Sequence, residues 1–306
     1  MIDVAGPADV FHHAMMFGAR YETLLISADG RPVRASNGLT LHADAAVTDA
    51  GLLDTVIVLG AYGMIRRPLD PVVLHAAREL TARTSRITSV CTGAFLLAHL
   101  GYLDGRRATT HWTHMDLFAR TFPRVHVQRD ALFVRDGNVI TSAGVSSGID
   151  LSLAIVEDDH GPTVAQNVTR QMVVFLQRPG GQSQLSAPSR TRIPRDNPLR
   201  GVTDAIAADP AGDYSVARMA QLAAVSPRTL NRLFRNLLDT TPARHVELVR
   251  LEAAQAHLQN GTTIARAAEL SGFGSAETLR RVAHHRTGAS PPGHDPASPL
   301  RNPRVE

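Results

Sequence analysis

The segment Ser89-Val90-Cys91-Thr92-Gly93-Ala94-Phe95 joins a strand-like run to a helical one through a short turn, and Cys91 is the sole cysteine among 306 residues. Such an elbow exposes its central side chain beside a helix N-terminus, where the helix dipole would favour thiolate over thiol. Open α/β sheets also bind ligands there, at the carboxyl ends of their strands. Twenty residues on, Ala108-Thr109-Thr110-His111-Trp112 supplies an imidazole. Brought together in space, Cys91 and His111 could form a nucleophile and base pair. A free cysteine taken alone is more often a small, inert, buried side chain. The elbow therefore argues for a pocket around Cys91 and Thr92 more strongly than for turnover. Gly60-Ala61-Tyr62-Gly63 follows another strand-like run without the spacing of a dinucleotide-binding loop, and Gly60 and Ala61 are expected to line the same pocket. His111 and His114 lie three apart without further ligands, so neither a metal nor a cofactor is expected. Trp112, the only tryptophan, reads equally as core or as pocket wall.

A second chemistry is written twice near the other end. Val216-Ala217-Arg218-Met219-Ala220-Gln221-Leu222 returns 48 residues later as Ile264-Ala265-Arg266-Ala267-Ala268-Glu269-Leu270. Ser226, Thr229, Leu230, Arg232 and Pro242 return 49 residues later as Ser275, Thr278, Leu279, Arg281 and Pro291. A repeat of this kind is a repeated supersecondary unit, here a helix-turn-helix that lays a basic helix in a DNA groove. Ser226 with Pro227 is a strong helix start. Leu230, Leu233, Phe234 and Leu237 then share an inward face, while Arg228, Asn231, Arg232 and Arg235 point outward. In the second copy Glu277, Arg280, Arg281 and His284 point outward. Arginines suit guanine and phosphate, and Glu277 could accept from cytosine. The stretch 242–258 reads as a rigid helix that would carry the two recognition helices into successive major grooves about 34 Å apart. Because the faces differ, one chain should read an asymmetric site.

Bulk properties fit this division. The basic side chains are all arginine, and residues 1–178 carry 16 Arg against 17 Asp and Glu, whereas 179–306 carry 16 against 11. The electrostatic case for nucleic acid therefore belongs to the second part alone. No apolar run approaches the ~18 residues of a membrane span, the start lacks the features of a signal peptide, and one cysteine excludes an internal disulfide. A cytoplasmic protein without membrane contact is expected.

The elements that position these residues alternate over 1–178. Strand-like runs at 21–27, 52–60, 86–90, 125–129, 131–135 and 138–142 are interleaved with helical spacing at 7–19, 71–83, 92–100 and 114–121, and two helices at 147–159 and 163–177 close the segment. This order predicts an α/β layered domain with a mainly parallel sheet. Residues 179–198, dense in Gly, Pro and Ser, read as a linker. Residues 199–292 are helical throughout, and the proline-rich tail 293–306 is expected to be disordered.

The repeat, with Gly272-Phe273-Gly274-Ser275 and Gly288-Ala289-Ser290-Pro291, resembles the AraC/XylS-type DNA-binding domain over about 199–292. It departs from that pattern where Pro292-Gly293-His294 replaces the aromatic after the final proline. The cysteine elbow and the Thr-Thr-His segment resemble the PfpI-type, class I glutamine-amidotransferase-like superfamily. There Asp3-Val4-Ala5-Gly6-Pro7 matches the acidic position near the cysteine, so the resemblance adds Asp3 as a candidate.

The whole chain resembles the GlxA-type transcriptional regulators. That resemblance implies a flavodoxin-like sensor of a small nitrogenous metabolite fused to an operator-binding domain, acting as a homodimer with RNA polymerase as a further partner. In such sensors no catalysis is expected. The alternative is a cysteine-dependent hydratase or amidase, since Asp3, Cys91, Thr92 and the Thr-Thr-His-Trp segment also resemble isocyanide hydratases. Its catalytic set would be Cys91, His111 and Asp3. Only Met1 and Ile2 precede the Asp3 motif, so the family's central first strand is expected to be missing from this sequence, with the start assigned too late.

Overall fold

The computed structural model describes residues 1–65, 68–174, 177–185, 193–194, 196–259 and 261–287. They divide into two compact units, Met1–Gln184 and Leu185–Glu306. The expected tail, the Gly288–Pro292 segment and residues 186–192 and 195 of the linker lie outside the described residues.

In the first unit α1 (Ile2–Met16) is followed by four two-residue strands, β1 (Ile26–Ser27), β2 (Val33–Arg34), β3 (Thr40–Leu41) and β4 (Ala45–Ala46). Then come β5 (Leu53–Val58), α2 (Pro71–Ala82), β6 (Thr84–Val90), α3 (Gly93–His99), β7 (Arg107–Ala108), α4 (Met115–Thr121), β8 (His126–Val127), β9 (Phe133–Asp136), β10 (Val139–Ser142), α5 (Ser147–His160) and α6 (Pro162–Gln171). The central sheet has the order β5-β6-β10-β9, with β9 antiparallel. Thr88, Ser89 and Val90 are fully buried, as a strand covered on both faces must be. One face carries Val10, Ala14, Leu151 and Val156 of α1 and α5 against Val90 and Ile140. The other carries Ala94, Leu97 and Phe118 of α3 and α4 against Val56, Ile87 and Val139. The helix at 71–83 starts where its capping residue stands: Asp70 accepts from the Val72 N–H at 2.8 Å, and Pro71 occupies the first turn.

Three expectations are corrected. The expected strand at 21–27 is reduced to Ile26–Ser27, which pairs with Ala45–Ala46 and not with β5. Among the described residues nothing pairs with the outer edge of β5, so residues 21–24 have no ladder to join there. Tyr21 is held instead by its side chain, its hydroxyl 3.0 Å from Asp159 and its ring against Phe11 and His160. The first helix begins at Ile2, not at residue 7. Pro7 sits inside it, tolerated near the N-terminus, where few carbonyls lose a donor. The helix expected to run to 177 stops at Gln171, because Val173 takes a left-handed φ of 54° and turns the chain back. The first residues of the expected linker, 179–184, are bonded onto the first unit, with Gly180 and Gln182 carbonyls accepting from Phe133 and Leu132 N–H at 3.2 and 3.0 Å.

The second unit is helical: α7 (Pro198–Ala208), α8 (Val216–Leu222), α9 (Pro227–Leu238), α10 (Pro242–Gln259), α11 (Ile264–Leu270) and α12 (Ala276–Thr287). Leu199, Ile206, Met219, Leu230 and Phe234 form one core, and Leu251, Ala254, Ala267 and Leu279 a second. No helix of the described residues is long and apolar enough to cross a membrane.

Candidate effector site and nucleic-acid interface

The elbow at the end of β6 is held by backbone. Cys91 has a left-handed φ of 58° and donates its N–H to the Ser142 carbonyl at 3.0 Å. Two glycines let neighbouring chain ends close on it. A Cβ on Gly60 would stand 2.8 Å from Cys91 Cβ and 2.9 Å from the Thr92 nitrogen. On Gly144, itself at φ +94°, it would stand 2.3 Å from Cys91 Cβ. Thr92 is buried and spends its hydroxyl on the Ala61 carbonyl at 3.0 Å, so it fixes the 60–61 turn to the elbow. Thr110 donates its hydroxyl to the Cys91 carbonyl at 2.9 Å, bringing the Thr-Thr-His segment alongside. From α1, Asp3 accepts the Val145 N–H at 2.7 Å.

Asp3, Gly60, Ala61, Cys91, Thr92 and His111 are therefore assembled around one elbow, from stretches far apart in sequence. Burial raises the Cys91 thiol pKa to about 11, and the neighbouring Asp3 charge adds to the rise. Hydrogen bonds from the Thr92 backbone and side chain pull the other way and lose. The pull of the helix dipole toward thiolate, expected at the elbow, is opposed by the surroundings of the thiol. Desolvation with a like-signed neighbour outweighs the short helix α3, and at neutral pH Cys91 is a thiol.

Burial lowers the His111 pKa, as does the neighbouring His114, against a smaller upward pull from Asp3. The ring is occupied locally: Nδ1 lies 2.7 Å from Thr113 Oγ1 and accepts from the Thr113 N–H at 3.4 Å, capping a short 3₁₀ turn. No hydrogen bond joins it to Cys91 among the described residues. Trp112 is half exposed beside His111, so it is not a core residue. Two contributors carry little signal in the sequence pattern: Thr110 and the Gly144-Val145 turn. The one local signal is Gly144, two residues beyond the strand at 138–142.

In the second unit the repeat is visible in the caps. Ser215 and Thr263 accept from Arg218 and Arg266 N–H; Ser226 and Ser275 accept from Thr229 and Thr278 N–H, both at 3.2 Å. Turn positions match as well, Ala224 (φ 51°) in one copy and Gly272 (φ 76°) in the other. Arg228, Arg232 and Arg235 are exposed along α9, and Glu277, Arg280, Arg281 and His284 along α12. None of these five arginines forms an ion pair with a described residue. Asn231 is only half exposed, and its amide donates to the Pro227 carbonyl at 2.8 Å.

The two copies are locked together by α10. Arg250 donates through Nε to the Pro210 carbonyl and through Nη2 to the Gly212 carbonyl, both at 2.8 Å. Gly272 packs so closely that a Cβ there would be 2.8 Å from Ala211 Cα and 2.9 Å from Arg250 Nε. The turn of the second copy thus rests on the loop that precedes the first.

This architecture matches known proteins along its length. Residues 1–158 match the DJ-1/PfpI family and residues 219–293 a helix-turn-helix domain. The HTH-type transcriptional regulator CdhR of Pseudomonas aeruginosa is 32% identical over 92% of this chain and 84% of its own length. The HTH-type transcriptional regulator GlxA of Rhizobium meliloti is 30% identical over 83% of this chain and 79% of its own. The isonitrile hydratase of Pseudomonas putida is 35% identical over 56% of this chain and 72% of its own. The chain belongs to the DJ-1/PfpI family, in the form that carries an AraC-type helix-turn-helix domain. Proteins of that form are transcriptional regulators.

Proposed function

We propose that the first unit binds a small nitrogenous metabolite at the Cys91 elbow and that its occupancy controls sequence-specific binding of the second unit to a duplex operator. The observation that carries this reading is the pair of capped helix-turn-helix units, whose recognition helices present arginines free of ion pairs with described residues. On this reading α9 enters one major groove with Arg228, Asn231, Arg232 and Arg235. The next groove takes α12 with Glu277, Arg280, Arg281 and His284. A good bidentate base contact is worth roughly 1–3 kcal/mol of discrimination. The 18-residue α10 spans about 27 Å at 1.5 Å per residue, a suitable strut between successive grooves.

At the elbow the Asp3 carboxylate beside an uncharged thiol suits a ligand rich in N–H or cationic nitrogen. The protonated thiol favours binding over turnover, and the proposed site needs no metal or cofactor. The acting species on this reading is a cytoplasmic homodimer with RNA polymerase as a further partner, in keeping with the regulators of the family. The test is selection of duplexes from random sequence by the full chain, followed by titration of affinity against salt. Neutralising about five phosphates gives a log–log slope of about −4.5. A chain that enriches no sequence contradicts the reading.

A second reading, a cysteine-dependent hydratase, is favoured by the likeness to isonitrile hydratase. It requires Cys91 as nucleophile with Asp3 or His111 moving protons. Replacing Cys91 with alanine separates the two, since a binding pocket keeps regulation in that variant and a turnover-dependent switch loses it.

A further inference from the structure

We propose that residues 178–184 form a releasable strap that transmits the state of the Cys91 pocket to the chain entering the helical unit. The proposal rests on the reading of that pocket as the effector site.

The strap has two anchors, and each ends on a segment that builds the pocket. At the first, Arg178 donates its backbone N–H to Asp150 Oδ1 at 2.8 Å and its guanidinium to Asp150 Oδ2 at 2.6 and 3.1 Å. Asp150 is buried on α5. The same guanidinium reaches Ser146 Oγ at 3.0 Å. Ser146 adjoins Val145, which is bonded to Asp3, and Gly144, which lies against Cys91.

At the second anchor Gln184 donates its side-chain amide to Thr109 Oγ1, to the Thr110 carbonyl and to the Ala131 carbonyl at 3.2, 3.0 and 3.1 Å. Thr110 is the residue whose hydroxyl holds the Cys91 carbonyl. Between the anchors the strap pairs with the chain at β9, Gly180 pressing so close that a Cβ would stand 2.6 Å from the Phe133 carbonyl oxygen.

The attachment is specific yet incomplete. Gln182 Oε1 and Gln184 Oε1 are buried without a hydrogen-bond partner among the described residues. An unsatisfied buried acceptor is destabilising, and release into water satisfies it. The bound strap is thus poised against a free one. A ligand that moves Ser146 or Thr110 changes an anchor's geometry, and hydrogen bonds weaken steeply once bent or stretched. Leu185, the next residue, already belongs to the second unit. Freeing seven residues lengthens the tether by up to roughly 25 Å at about 3.5 Å per residue, which alters the effective concentration of one DNA-binding unit at a site held by another. A ligand drives the release only as far as it binds the two states differently.

Because Cys91 is the sole cysteine, iodoacetamide places one carboxamidomethyl group in the pocket of the full chain and serves as the probe. Labelling is carried to completion at about pH 9.5, where enough thiolate forms to react, and hydrogen exchange of the peptide covering 178–185 in the labelled and unlabelled chains is then compared at pH 7. The expected result is at least a tenfold change in exchange at the Arg178, Gln182 and Gln184 amides, with α8 and α9 unchanged. In Gln184→Ala and Arg178→Lys the strap should exchange faster before labelling, and labelling should add little. Strap exchange unchanged by labelling overturns the proposal. If labelling then still shifts affinity for a selected duplex, the effector reading stands without the strap; if it does not, that reading is contradicted as well.

Discussion

Asp3 and Val145 are 142 positions apart, yet the Asp3 carboxylate takes the Val145 backbone N–H at 2.7 Å. That bond ties the start of α1 to the strained turn covering Cys91, where Val145 itself has a left-handed φ of 53°. The same carboxylate helps to hold the thiol protonated. One residue therefore braces the turn over Cys91 and adds to the burial that keeps its thiol protonated.

Asp3→Asn keeps an acceptor for Val145 and removes the charge. The thiol pKa should fall below about 11, read from the pH dependence of thiolate absorbance near 240 nm. Asp3→Ala should lower it similarly and in addition cost about 1 kcal/mol in a denaturant titration, as a lost charge-assisted hydrogen bond open to solvent. An unchanged thiol titration in both variants would remove Asp3 from the site.

Because the folded thiol titrates higher than its ordinary value of 9, the unfolded chain releases that proton first as pH rises. The stability contributed by the protonated thiol is complete below pH 9 and is lost as pH climbs through about 11. The loss should be on the order of 1–2 kcal/mol after allowance for partial exposure. The difference between wild type and Cys91→Ala isolates it from every other group in the chain. Parallel curves from pH 8 to 11 would contradict the assignment.

Gly144→Ala should cost about 2–4 kcal/mol, because its Cβ would meet Cys91 Cβ at 2.3 Å from a φ of +94°. Gly63, with open space around a would-be Cβ, is the control. If thermal unfolding places both alanine variants at the same midpoint, the elbow is looser than described.

The elbow and the repeat were legible because each is local. A strand, a turn and a helix follow one another around Cys91, and Ser226 and Ser275 cap helices a few residues away. What was not legible depends on distant partners. Nothing near Asp3 announces Val145, and nothing near Arg178 announces Asp150. The thiol state is not legible for the same reason, since desolvation is a property of the assembled fold. Residues 21–27 have strand composition but no β5 neighbour, and composition cannot supply a missing ladder.

Arg250→Ala should leave each helix-turn-helix folded while loosening one from the other, since two charge-assisted bonds to Pro210 and Gly212 disappear. Tolerance of the spacing between the two half-sites should widen by one or two base pairs in binding assays. Undiminished discrimination against shifted spacings would show that α10 alone sets the geometry.

The central claim is that α9 and α12 read two successive major grooves of one asymmetric site. Hydroxyl-radical footprinting of a selected duplex with wild type, Arg232→Ala and Arg281→Ala tests it most directly. The account predicts two protected segments about one helical turn apart, one weakened by Arg232→Ala and the other by Arg281→Ala. Footprints identical to wild type in both variants would contradict it.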